Sequence, residues 1–212
     1  MPELNLIDLL GSYGTPTLFE VASEVRTMPS NIAPLYRPIN LFGPAYPVLA
    51  VPGDNLAVHL ALAEAPAGSV LVVATGGATQ YGFWGEITTA AAQARAIRGL
   101  VTDGAVRDTR AIQAHAFPVF CSAVAIPGTV KLSSGMLNQP IVIGGTVIRP
   151  GDLIVGDEDG VVIIPPAIGL EVLEKAQARA KTESEMLRRL SQGELTLDLL
   201  DLRKRLAGGK PG

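Results

Sequence analysis

The stretch Asp103-Gly104-Ala105-Val106-Arg107-Asp108 carries the residue types best suited to chemistry. It follows Gly99–Thr102, which reads as a short buried strand, and Gly104 lets the backbone turn sharply or approach a ligand. A guanidinium is a rigid, permanently charged fork for a carboxylate, and an aspartate beside it is a hard oxygen ligand for Mg2+. Together they suit an anionic substrate that also chelates a divalent ion. The same two residues could cap a helix over 108–113, and the local sequence leaves both readings open.

A second segment, Gly76-Gly77-Ala78-Thr79-Gln80-Tyr81-Gly82-Phe83-Trp84-Gly85-Glu86, joins the apolar run Val70–Ala74 to an Ala- and Thr-rich stretch that predicts a helix over 86–97. Its glycines expose backbone N–H groups, and a helix N-terminus attracts anions. Glu86 at that position is equally explained as a stabilising first-turn carboxylate. The spacing is neither a dinucleotide fingerprint nor a P-loop, because G-x-G-x-x-G and Gly-Lys-Ser/Thr are both missing.

Other candidates read as structural. Gly156-Asp157-Glu158-Asp159-Gly160 lacks the spaced ligands of a calcium loop and reads as a solvated hairpin turn. His59 falls at a core position of an apolar helix, His115 in a loop, and Cys121 in an apolar run that suggests a buried small hydrophobe. Lys131 lies in a loop between Gly128 and Ser133, where a desolvated Schiff-base amine is not expected.

The elements that must position these residues follow an α/β rhythm. The first sixty residues read as two helices and a strand over 45–51, with Thr15-Pro16 opening a helix and Asp54 capping another that runs to about Glu64. Strands at Val70–Ala74, Gly99–Thr102 and 118–125 alternate with helices, and continuous apolar runs imply burial on both faces. Short β-branched runs at 141–143, 146–148, 152–155 and 161–164, separated by glycine turns, predict a β-meander. From Pro165 the chain turns helical, ending in an amphipathic piece over 195–206. One domain is expected over 1–212, a core of 1–164 with a helical extension of 165–206.

Composition narrows the partners. A chain of 212 residues with net charge −3 has no basic footprint for nucleic acid. Its apolar runs fall short of the ~20 residues that span a bilayer, and one cysteine excludes an intrachain disulfide. A soluble cytoplasmic protein acting on small molecules is the expectation, with neither nucleic acid nor membrane as partner.

Taken in order, the segments resemble the family that unites regulator of ribonuclease activity A with the 4-hydroxy-4-methyl-2-oxoglutarate / 4-carboxy-4-hydroxy-2-oxoadipate aldolases. Gly85-Glu86, twenty residues, then Arg107-Asp108 is similar to its acidic–x20–Arg-Asp signature. Pro52-Gly53-Asp54-Asn55, Gly68-Ser69-Val70-Leu71-Val72-Val73, Asp103–Asp108 and Pro150-Gly151-Asp152 through Val162 resemble further family runs.

The resemblance implies a compact αββα sandwich of swivelling β/β/α-type topology, with a mixed sheet and extra C-terminal helices. It implies a homo-oligomer, a trimer or a dimer of trimers. It also implies a class II pyruvate aldolase, a lyase that releases pyruvate from 4-hydroxy-2-oxo dicarboxylic acids, with decarboxylation of oxaloacetate as an accompanying activity. Asp108 would bind Mg2+ or Mn2+ directly, with Glu86 reaching it through water. Glu183 of a neighbouring subunit, ahead of Glu185, would do the same. Backbone amides near Phe83, Trp84, Gly85 and Glu86, with Arg107, would hold the 2-oxo acid.

Three positions depart from the family pattern. Ser122 and Ala123 stand where members often carry arginine and glycine, no arginine lies near Pro127, and Ala78-Thr79-Gln80 lacks an acidic residue. The metal-and-pyruvate half of the pattern is intact, whereas the half that would grip a distal carboxylate is altered. The alternative implied by the resemblance is a protein-binding regulator of ribonuclease activity. Methyl transfer finds no nucleotide fingerprint to support it.

Overall fold

The computed structural model describes residues 5–203 and 206. Helices α1 (Leu6–Leu10) and α2 (Thr15–Glu20) precede strands β1 (Arg26–Thr27), β2 (Ala33–Pro34) and the long β3 (Leu41–Leu49). The alternating middle follows: α3 (Leu56–Glu64), β4 (Val70–Ala74), β5 (Gly82–Trp84), α4 (Glu86–Ala94), β6 (Gly99–Thr102), β7 (Ala105–Val106), α5 (Thr109–Ala114), β8 (Val119–Cys121) and β9 (Ala123–Val124). Then come β10 (Met136–Leu137), β11 (Ile141–Ile143), β12 (Thr146–Ile148), β13 (Leu153–Asp157) and β14 (Gly160–Ile164), a 3-10 turn at Pro166–Ile168, α6 (Gly169–Ser191) and α7 (Thr196–Leu199).

Among the described residues, the main sheet runs β1-β14-β13-β3-β4-β6-β8-β2, with β10 also paired to β3. β3, β4, β6 and β8 are parallel neighbours, while β13, β14, β1 and β2 join antiparallel. The first half of β3 pairs with β13 and the second half with β4, so this one strand carries the curl between the two halves of the sheet. The result is the expected mixed α/β fold with a long C-terminal helix.

Strand β4 is buried at every position because both of its faces are covered. Leu71 and Val73 pack with Val58, Ala61 and Leu62 of α3 and with Trp84 and Phe117. Val70, Val72 and Ala74 meet Ile141, Ile143 and Ile148 of the β11–β12 hairpin on the other side. A third cluster joins Ile7, Leu10 and Leu18 of the first helices to Val155, Val162 and Ile164 and to Val172 and Leu173 of α6. None of the described helices is long and apolar enough to cross a membrane.

Several elements differ from the sequence expectations, each for a local reason. The run 118–125 is not one strand: it breaks at Ser122, whose N–H donates to the Gly104 carbonyl (3.1 Å), and β8 and β9 enter different sheets. The 141–164 meander is two hairpins, β11–β12 on the sheet's face and β13–β14 within it. The chain is redirected between them where Ala45 and residues 151–152 exchange backbone bonds of 2.9 and 2.7 Å. The helix from Glu86 stops at Ala94, with Ala96 left-handed at φ 54. The expected 195–206 piece is interrupted: α7 ends at Leu199, Leu202, Arg203 and Leu206 are helical again, and residues 204 and 205 lie outside the described residues.

The acidic turn is a hairpin, but its carboxylates are not merely solvated. Asp157 accepts from the N–H and Oγ1 of Thr15, both at 2.7 Å, so the cap of α2 comes from this turn and not from Thr15, which is already helical. Glu158 Oε1 accepts from Ile39 N–H (3.0 Å).

Asp152 illustrates the stability cost of such buried anchors. Its carboxylate is almost fully buried, accepts from Arg149 N–H (2.9 Å) and pairs with Arg26 Nη2 (2.9 Å). Replacing it with alanine strands the half-buried guanidinium, and Asp152→Ala is expected to cost about 3 kcal/mol. Urea unfolding of the variant checks this against the wild-type midpoint.

Candidate active site

Strands β5 and β7 lie side by side and parallel in the small sheet β5-β7-β9, with Gly82 opposite Ala105 and Trp84 opposite Val106. The pairing extends one step further, where Arg107 N–H donates to the Trp84 carbonyl (2.8 Å). Both strands therefore end at one level, and each feeds a helix: α4 begins after Gly85, α5 after Asp108. The carboxyl ends of parallel strands are where α/β sheets gather ligands.

Asp108 is the positional N-cap of α5, yet its carboxylate makes no bond to that helix. Its backbone is left-handed at φ 54, and its Oδ2 instead accepts from Glu86 N–H (3.1 Å) at the start of α4. The helix-cap reading thus holds in position but not in bonding, and the two segments that twenty residues separate meet here. Arg107 Nε stands 3.7 Å from the same oxygen, and both side chains remain nearly half exposed.

Missing side chains make the room. A Cβ on Gly85 would fall inside contact distance of Asp108 Oδ2 and 3.2 Å from Arg107 Cγ. A Cβ on Gly82 would lie 3.0 Å from Arg107 Cβ.

The remaining sequence-derived residues divide by location. Phe83 and Trp84 are buried, with Trp84 stacked on Phe117 (5.7 Å between centroids) and its Nε1 donating to Thr89 Oγ1 (2.7 Å). Gly85 N–H is already taken by Thr88 Oγ1 (2.9 Å), as Glu86 N–H is by Asp108. The Glu86 side chain is exposed and is not among the residues lining the cleft beside Asp108. Glu183 sits on α6, where its Oε1 accepts from Arg179 Nε (2.7 Å), and Glu185 pairs with Arg188. Asp103, next to the site in sequence, accepts from Thr75 N–H and Oγ1 and from Gly77 N–H, which pins the loop above it.

The cleft at Asp108 has a volume of roughly 380 Å³. Its other wall holds Asn55, His59, Thr129 and Lys131, which sequence reasoning did not assign to the site. Asn55 and His59 are four residues apart and so share a face at the start of α3, a usable signal. Burial, followed by the Lys131 charge, lowers the His59 pKa and keeps its imidazole neutral near pH 7. A groove of roughly 630 Å³ around Arg26 and Arg149 is larger, but its carboxylate, Asp152, is already engaged.

Lys131 is held by a strap rather than by regular structure. Asp54 Oδ2 accepts from Leu132 N–H (2.7 Å) and Ser133 N–H (2.9 Å), while Oδ1 accepts from Leu56 N–H (2.9 Å). These bonds, Leu56 first, hold the Asp54 carboxyl below its ordinary value of 3.8. Such a group stabilises fully above its unfolded value and loses that contribution as pH falls through the depressed folded one. Hydrogen exchange at Leu132 and Ser133 is accordingly expected to stay protected at neutral pH and open only below about pH 4, with that acid step absent in Asp54→Asn.

No group of three or more His, Cys, Asp or Glu side chains among the described residues is arranged to hold a metal. The donor chemistry of Asp108 nevertheless fits Mg2+, which binds through one or two carboxylates, keeps several waters and takes other ligands from a chelating substrate.

Comparison with known proteins agrees with this architecture. The RraA-like (Aldolase/RraA) family description matches residues 6–163. A protein of Halalkalibacterium halodurans, provisionally named a 4-hydroxy-4-methyl-2-oxoglutarate aldolase, is 36% identical over 92% of this chain and 93% of its own. An uncharacterized Pseudomonas syringae protein superposes with a TM-score of 0.81 at 27% identity, covering 93% of each chain. Streptomyces coelicolor RraAS2, described as an unusual member of the RNase ES inhibitor RraA family, gives 0.78 at 26% identity over 89% of this chain and all of its own. With the family description spanning residues 6–163 and a relative aligned over more than nine-tenths of both chains, this chain belongs to the RraA-like Aldolase/RraA family.

Proposed function

We propose that the chain is a divalent-cation-dependent lyase that cleaves 4-hydroxy-2-oxo dicarboxylic acids to release pyruvate, and decarboxylates oxaloacetate by the same chemistry. The observation that carries this reading is the convergence of the Asp108 carboxylate, the Arg107 guanidinium and the N-terminus of α4 on one cleft. In retro-aldol cleavage the 4-hydroxyl gives up its proton, the C3–C4 bond breaks, and the electron pair passes to the 2-oxo group as an enolate. Protonation at C3 then gives pyruvate.

Asp108 would hold Mg2+ or Mn2+, which would supply Lewis acidity to a bound 2-oxo acid. Arg107 adds fixed positive charge where the oxyanion develops. Glu86, whose N–H bonds Asp108 although its side chain does not line the cleft, would orient cation-bound water, as would Glu183 of a neighbouring copy.

A homo-oligomer, a trimer or a dimer of trimers, belongs to the same proposal. Ile87 in the cleft lining is 79% exposed, and Ile126 and Leu132, close in sequence to the cleft residues Gly128 and Lys131, are 88% and 83% exposed, apolar surface of the kind that a contact with another copy would cover. The neighbour described as an unusual member of the RNase ES inhibitor RraA family suggests regulation by protein contact instead, but no feature of the described residues favours it over the cleft chemistry. A coupled assay for pyruvate, run on 4-hydroxy-4-methyl-2-oxoglutarate and oxaloacetate with Mg2+ or with EDTA, tests the proposal. Cation-dependent release supports it, and no release from either compound rejects it.

A further inference from the structure

The hydroxyl of Thr88, in the first turn of α4, is bonded twice to Gly85. Its Oγ1 accepts from Gly85 N–H (2.9 Å) and donates to the Gly85 carbonyl (2.9 Å). Gly85 is extended, at φ −161 and ψ −163, and an extended residue turns its N–H and C=O to the same side. Each of these atoms belongs to a planar peptide unit whose other end reaches the site. In the unit joining residues 84 and 85, the Trp84 carbonyl accepts from Arg107 N–H (2.8 Å). In the unit joining residues 85 and 86, Glu86 N–H donates to Asp108 Oδ2 (3.1 Å). One hydroxyl therefore holds both planes that meet Arg107 and Asp108. Thr88 is only 6% exposed, so little water competes for its bonds.

We propose that Thr88 is a positioning residue for turnover, setting Arg107 and Asp108 through the two peptide planes that flank Gly85. The proposal rests on the lyase reading and adds a residue that this reading does not use. A threonine at the third position of a helix also serves as part of a cap, which would give it a role in stability alone. The two roles separate because a cap holds the helix, whereas this hydroxyl also holds what the helix start touches. The helical bond from Thr89 N–H to the Gly85 carbonyl (3.0 Å) does not depend on either side chain, so α4 forms without the hydroxyl. Thr89 supplies the contrast one residue later. Its fully buried Oγ1 accepts from Trp84 Nε1 (2.7 Å), so its side chain holds the indole ring and neither plane.

The test uses Thr88→Val, which keeps the branched shape and removes the hydroxyl, and Thr88→Ser, which keeps the hydroxyl. Thr89→Val is the control, since it breaks a buried bond of similar strength away from the planes. In Thr88→Val, kcat for pyruvate release from oxaloacetate with Mg2+ should fall by about tenfold or more, and the other two should stay within about threefold of wild type. Thr89→Val should lose at least as much thermal stability as Thr88→Val. Independently of turnover, amide exchange at Gly85 and Glu86, followed by NMR, should quicken about tenfold or more in Thr88→Val alone. Equal loss of kcat in the two valine variants overturns the proposal, as does wild-type kcat in Thr88→Val. A loss in Thr88→Ser as large as in Thr88→Val would assign the effect to the methyl group and also overturn it. Unchanged exchange at Glu86 strikes the proposal alone and leaves the lyase reading standing. If the wild-type protein releases no pyruvate, the lyase reading itself fails and takes this role with it.

Discussion

Asp108→Asn is expected to lower kcat/KM for pyruvate release by at least about a thousandfold, equivalent to roughly 4 kcal/mol of lost transition-state stabilisation, while leaving the fold intact. Asparagine is the substitution that separates these effects. It tolerates the left-handed backbone that Asp108 adopts at φ 54, and its amide oxygen can still accept from Glu86 N–H. What it loses is the negative charge that would hold a hard cation. Thermal unfolding within about 2 °C of wild type, a shift of at most about 1 kcal/mol for a chain of this size, should accompany the loss. A variant retaining a tenth or more of the activity would remove Asp108 from the chemistry.

Gly85→Ala should cost about a hundredfold in the same assay, from a single added methyl group. The backbone at Gly85 has φ −161, which alanine adopts without strain. The added Cβ would, however, occupy the space of Asp108 Oδ2 and crowd Arg107 Cγ at 3.2 Å. Both are side chains with exposed ends that can swing outward, so folding is barely affected while the site is displaced. Misplacement of a reacting geometry by about 1 Å costs on the order of 10²-fold. Unchanged activity in Gly85→Ala would show that the approach of these two segments has no part in turnover.

Much of this site was legible in the sequence, and the reasons are physical. Val70–Ala74 and Gly99–Thr102 stand out because burial on both faces leaves uninterrupted apolar runs. Gly85-Glu86 and Arg107-Asp108 themselves follow β5 and β7, strands of three and two residues that are too short to show a pattern. The opposite wall was hidden. Residues 128–133 have no periodicity, and only the folded chain shows that Asp54 ties Leu132 and Ser133 down beside α3. His59 read as core because an apolar helix surrounds it, whereas its face turns toward the cleft. The two hairpins after Ile141 share the same alternation, so nothing local says that one lies on the sheet and the other in it. Glu183 shows a different limit: within one chain it is paired with Arg179, and any contact with a second copy lies beyond a single sequence.

The most direct test of the central claim, that residues 85–86 and 107–108 form one cation-assisted site for a 2-oxo acid, is calorimetric titration with oxalate. This planar dianion resembles the pyruvate enolate in shape and charge and undergoes no reaction. With Mg2+ present, oxalate should bind the wild-type protein, and binding should disappear on chelation with EDTA and in Asp108→Asn. Binding of equal strength after chelation, or in that variant, would contradict the claim.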